Sequence, residues 1–177
     1  MEDVGDLETP APLWAFAWAG GQAVARYLLD HPDQVDGKRV LDFATGSGLC
    51  AIAARKAGAA DVMAADVDVY SATVVAMNAQ ANGVSFEVTG SDLLDREPGE
   101  YDVIFAGDVS YEQPMAGRVL AWLQAANARG THILIGDPGR AYFSPEGLVR
   151  LARYDVPTSR DLEGKELMSA GVFTFPV

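Results

Sequence analysis

The chain has 177 residues, 49% of them hydrophobic, and its 25 acidic against 13 basic side chains give a formal net charge of −12. That length suits one domain, residues 1–177, around a single core, and no run approaches the roughly 20 apolar residues of a membrane-spanning helix. The acidic balance disfavours non-specific nucleic-acid binding, while the single Cys50 excludes an intrachain disulfide and suits a reducing cytoplasm.

The opening MEDVGDLE is too acidic to flank a signal or transit peptide. An aromatic segment, LWAFAW, leads into a helix expected over Gly21–Leu29. Lys38–Phe43 reads as the first strand, and Leu49–Ala57 as a helix ended by Gly58. Asp61–Ala65 is a second strand, and Val69–Ala81 a helix stopped by Asn82-Gly83, since glycine closes a last turn without steric cost. Ser85–Val88 is a short strand, and Tyr101–Ala106 is apolar enough to be covered on both faces. A long helix over Gln113–Ala128, a strand over Thr131–Ile135 and a helix over Pro145–Ala152 follow. The tail reads as two strands, Tyr154–Pro157 and Gly171–Phe175, joined by a polar stretch without helical period. Alternating strands and helices that end in a strand pair predict an α/β fold. It is a Rossmann-like seven-stranded sheet, mostly parallel and doubly wound, with a C-terminal antiparallel hairpin at one edge.

Between the first strand and its helix stands Gly46-S-G-L-C-Ala51, a loose dinucleotide fingerprint. Glycines let the backbone approach a ligand, and the helix start offers unpaired N–H groups. Asp42 discriminates between ligands. Beside a pyrophosphate its charge is repelled, whereas an ammonium group or a sulfonium is attracted, which favours S-adenosylmethionine over a nicotinamide dinucleotide. Asp66 ends the second strand, where a carboxylate can accept both ribose hydroxyls. Asp92, after the third strand, is placed to accept from an adenine amino group or to cap a helical turn.

After the fourth strand comes Gly107-D-V-S-Y-Glu112. The carboxyl ends of strands gather the chemistry of open α/β sheets, so Asp108 is expected to face the donor's crevice. Lysine must lose a proton to act as a nucleophile, at a cost of roughly 4 kcal/mol near neutral pH. Asp108 is the candidate to orient that amine and Tyr111 the candidate aromatic wall beside it. Two distant histidines and one cysteine predict no metal site.

The stretches PLWAFAWAGGQAVARYLLD, VLDFATGSG, GDVSYEQPMA, DPGRAYF and YDVPTSRDLE together resemble class I methyltransferases, and more narrowly the electron transfer flavoprotein β-subunit lysine methyltransferases. The resemblance implies that Asp42, Ala44, Gly46 and Gly48 form the donor loop, with Ala44 where many relatives carry glycine. It implies ribose at Asp66, adenine near Asp92, and Trp18 packed on the donor from a covering segment within residues 1–30. Trp14 is expected in the core. Asp108 and Tyr111 match the family's D-x-x-(Y/F) signature at the lysine channel. The implied partner is the flavoprotein β subunit, approached by a monomer without membrane or nucleic acid. Alternatives are a methyltransferase for a ribosomal protein or a small amine, a non-catalytic donor-binding protein, and a nicotinamide dehydrogenase.

Overall fold

The computed structural model describes residues 12–176, so the acidic start lies outside it, as does the first part of the covering segment. In chain order the elements are α1 (Ala19–Asp30), β1 (Arg39–Phe43), α2 (Leu49–Lys56), β2 (Asp61–Ala65), α3 (Ser71–Ala81), β3 (Glu87–Thr89) and β4 (Val103–Gly107). They continue with α4 (Met115–Asn127), β5 (His132–Asp137), β6 (Val149–Pro157), α5 (Arg160–Glu163) and β7 (Leu167–Thr174). Short 3-10 turns cover Leu13–Ala15 and Pro32–Gln34.

The seven strands form one sheet in the order β3-β2-β1-β4-β5-β7-β6. The pairs from β3 through β5 are parallel, and β7 runs antiparallel to both β5 and β6. This is the doubly wound sheet with an antiparallel edge that the sequence predicts. From β1 the chain moves outward to β2 and β3, then returns to place β4 on the other side of β1. The crevice opens where that direction reverses, at the carboxyl ends of β1 and β4.

Alternate residues of the central strands are apolar toward both faces, so each face needs a cover. On one face Val40, Val62, Val103, Phe105 and Leu134 pack under Val24, Leu28, Ala51, Ala54 and Val75 of α1, α2 and α3. On the other, Leu41, Ile104, Ile133 and Ile135 meet Val119, Trp122, Leu123 and Ala126 of α4.

Three glycines bring α1 down onto the sheet. A Cβ on Gly20 would overlap the carbonyl oxygen of Gly136, and one on Gly136 would overlap that of Gly20. A Cβ on Gly107 would lie 2.8 Å from the backbone of Gly21. Backbone therefore rests on backbone, and the first turn of α1 sits over the carboxyl ends of β4 and β5.

Two predicted elements are corrected. The helix expected over Pro145–Ala152 is absent, and that stretch enters β6, which runs from Val149 to Pro157. A register shift between Arg150 and Ala152 leaves Leu151 as an extra residue. The bulge interrupts the period of two, so Leu148, Leu151 and Ala152 take helical spacing in a segment that pairs as a strand. Within the stretch read as lacking helix, α5 forms a single turn, with the Ser159 hydroxyl accepting from the Asp161 N–H at 3.3 Å.

Candidate active site

The loop from β1 to α2 is tied down from below and from both sides. Asp42 Oδ2 accepts from the Thr45 hydroxyl at 2.6 Å and from the Ala51 N–H in the first turn of α2 at 2.9 Å. Burial pushes the Asp42 carboxyl up to about 7 despite these two bonds, and the nearby Asp66 charge adds to the rise. Asp66 Oδ2 accepts from the Gly46 N–H at 2.8 Å, and its Oδ1 from the Asp68 N–H at 2.9 Å. From α3, the Ser71 hydroxyl donates to the Gly46 carbonyl at 2.7 Å and the Asn78 amide to that of Ser47 at 2.8 Å. Ala44, Gly46 and Gly48 all have left-handed backbone, with φ of 54°, 54° and 85°. Ala44 therefore holds a conformation that glycine adopts without strain, which accounts for the glycine expected there.

At the end of β4, Asp108 also turns left-handed, with φ 56°. Its Oδ2 accepts from the Gly21 N–H at 2.9 Å, capping α1 from across the sheet. Its Oδ1 accepts from Arg140 Nε at 2.8 Å and Nη2 at 2.5 Å. Arg140 then reaches Glu163 of α5, with Nη1 2.7 Å from Oε2 and Nη2 2.8 Å from Oε1. The side chains of Asp108 and Glu163 are 6% exposed and that of Arg140 is 17%. Burial raises the Asp108 carboxyl, and the adjacent guanidinium opposes the rise. Asp137, at the end of β5, accepts from the N–H groups of Gly139 and Arg140 at 2.6 and 2.7 Å through Oδ1.

The other predicted residues fall in different places. Tyr111 is 46% exposed on the loop after β4, within reach of the Asp66 charge. Trp18 immediately precedes α1, donates its indole N–H to the Leu13 carbonyl at 2.7 Å, and lies 5.5 Å from the Arg140 guanidinium. Trp14 is not in the core. It is half-buried against Tyr70, with ring centroids 6.1 Å apart, and its carbonyl covers Gly46. Asp92 is exposed and accepts from the Leu94 N–H at 2.9 Å, the turn-capping role weighed for it above. Cys50 is buried, with its thiol 3.3 Å from the Gly21 carbonyl.

A groove of about 350 Å³ runs between Phe16, Trp18 and Gln22 on one side and Pro157, Leu162 and Glu163 on the other. A wider depression of about 460 Å³ lies where the chain enters β2 and β3, at the opposite strand ends from the acidic groups. Among the described residues no cluster of three or more His, Cys, Asp or Glu side chains is arranged to hold a metal. No helix among them is long and apolar enough to cross a membrane.

The electron transfer flavoprotein beta subunit lysine methyltransferase of Rattus norvegicus is 40% identical over 170 residues, covering 93% of this chain and 67% of the rat protein. The chain belongs to this lysine methyltransferase family. The Danio rerio member is likewise 40% identical, over 94% of this chain and 67% of its own length. Residues 25–109 also match the profile of ribosomal protein L11 methyltransferase (PrmA), a stretch that runs from α1 through Asp108. Magnesium protoporphyrin IX methyltransferase from Synechocystis PCC 6803, solved with bound SAM, superposes with a TM-score of 0.62 over 88% of this chain and 77% of its own. At 15% identity that likeness shows the shared methyltransferase fold. Against this background the residues that sequence reasoning missed are Arg140, Glu163, Ser71 and Asn78. Arg140 stood in plain view in DPGR, but nothing local in that tetrapeptide announces its partners.

Proposed function

We propose that the protein is an S-adenosylmethionine-dependent lysine N-methyltransferase acting on the β subunit of the electron transfer flavoprotein. It works as a single-domain monomer in the cytoplasm, without metal, membrane or nucleic acid. The observation that carries this reading is Asp108, a carboxylate buried just past the carboxyl end of β4 whose Oδ2 accepts from the Gly21 N–H alone among the described residues.

The groups present suit a cationic donor. Asp42 is buried with its charge disfavoured, and a sulfonium and an ammonium above the loop would favour the ionised form. When bound, the donor supplies a methyl group on positively charged sulfur. Asp66 accepts from ribose, Asp92 lies at the adenine end, and Trp18 closes the site from the N-terminal side. Asp108 accepts one N–H of the substrate amine and aims its lone pair, while Tyr111 lines the approach. The lysine proton leaves to water, and alignment supplies most of the rate. The lone buried cysteine fits a reducing compartment.

Incubation with labelled donor and purified β subunit, followed by peptide mass spectrometry, should place label on lysine. In Asp108→Asn, turnover should fall about 10²–10⁴-fold while donor affinity by calorimetry stays within about threefold. An unlabelled β subunit would remove the substrate assignment. The PrmA match favours a ribosomal protein as the second reading, and label there instead would select it.

A further inference from the structure

We infer that Arg140, anchored by Glu163, is a positioning residue that holds Asp108 ionised and turned toward the substrate amine. This rests on the reading of Asp108 just given.

An ionised carboxylate offers about four acceptor positions. Arg140 fills both on Oδ1, and the Gly21 N–H fills one on Oδ2. One remains, on Oδ2. The guanidinium therefore fixes the rotation of the carboxylate and determines which oxygen is left for the amine. Arg140 itself has little freedom. Its backbone N–H is held by Asp137, Glu163 grips the far side of the fork, and the Trp18 ring stands beside it. A planar fork can hold two carboxylates in this way, and a lysine cannot.

The charges require this arrangement. A carboxyl group as buried as Asp108 takes up a proton unless a cation is adjacent. Once protonated on Oδ2 it presents an O–H donor and only a weak acceptor, so it competes for the amine lone pair instead of orienting it. The charged and titratable groups facing it are Arg140 from the loop after β5, Glu163 from α5, Asp137 from β5 and Cys50 from α2. Arg140 is the one cation of the set. Capping of α1 alone would need a single neutral acceptor, not an arginine held between two acids.

The cluster also joins three separate parts of the chain. Arg140 follows β5, Glu163 lies between β6 and β7, and Trp18 precedes α1. The C-terminal hairpin and the N-terminal cover thereby meet on the group that faces the substrate.

Carboxyl carbon-13 titration of the full chain tests the inference without substrate, with Asp108→Asn identifying the resonance. In Arg140→Gln the Asp108 midpoint should rise by about 1–3 pH units. In Glu163→Gln it should fall, because the Glu163 charge raises it. Arg140→Lys should give a smaller rise, and this variant with Glu163→Gln serves if the glutamine variant does not fold. In parallel, the rising limb of kcat against pH on the β subunit should move to higher pH in Arg140→Gln. An unmoved midpoint in the arginine variants, or shifts of the same sign in the arginine and glutamate variants, would overturn the inference. A wild-type enzyme that leaves the β subunit unmethylated would remove the proposed substrate, and the titration would still decide the role of Arg140.

Discussion

Asp42 is a residue whose charge the folded chain holds at a cost. It is 2% exposed, and its folded pKa of about 7 lies well above the ordinary aspartate value. The sign follows from linkage. Between about pH 4 and pH 7 the folded form binds more protons than the unfolded one, so stability falls as pH rises through that window. The burden is absent below the unfolded pKa and complete above about pH 7, where it reaches at most about 4 kcal/mol. Asparagine keeps an oxygen for Thr45 and Ala51 but has no charge to desolvate. Asp42→Asn should therefore melt higher than wild type at pH 8, with the gap closing toward pH 4, and should bind donor at least tenfold more weakly. A lower melting point at pH 8 together with unchanged donor affinity would show that the charge serves the fold instead. Asp66 and Asp108 were legible in the sequence because each directly follows a recognisable apolar strand, and Asp42 because it stands as the one acid near the end of another. Arg140 was not, since its carboxylate partners lie 32 and 23 residues away and are brought to it only by the sheet order. Trp14 was misread because aromatic character reports burial without saying whether the cover is core or loop.

Helix α1 owes its position to small residues at two strand ends. Gly20 and Gly21 are adjacent in sequence yet opposite in consequence. A Cβ on Gly20 would strike the Gly136 carbonyl and come within 2.6 Å of Asp108 Oδ2, whereas one on Gly21 would meet nothing within 4 Å. Gly20→Ala should lift α1 from the sheet and cost about 1–3 kcal/mol in urea unfolding. Gly21→Ala, with helical backbone and open space, should be neutral or gain about 0.5–1 kcal/mol. A Gly20→Ala variant as stable as Gly21→Ala would mean that helix propensity, not backbone contact, governs the site. The glycine pair was visible in the sequence, but its contact with Gly107 and Gly136 was not, because adjacency of β4 and β5 is a property of topology. The same limit explains β6. Strands β1, β2, β4 and β5 were legible as apolar runs bounded by turns, and Tyr154–Pro157 as the end of β6, while the bulge at Leu151 disguised the start of that strand as a helix.

At the scale of the whole molecule the excess of acid has few internal partners. Arg26, Arg39, Arg118, Arg129 and Arg160 each sit against an acid at the surface, while Lys56, Arg96, Arg150, Arg153 and Lys165 are exposed without an acidic partner among the described residues. Such exposed pairs add little stability. The 25 acidic against 13 basic side chains still leave the molecule with a net charge of −12, suited to drawing in a lysine-bearing surface before contact. Screening acts on that long-range attraction far more than on buried groups. Between about 0.1 M and 1 M salt the screening length falls from about 10 Å to about 3 Å. The kcat/KM for the β subunit should then fall about tenfold, carried by KM, while donor affinity changes much less because Asp42 lies beneath the loop. A kcat/KM that stays flat across this range would mean that the substrate is selected by contact alone, leaving the charge of −12 to solubility.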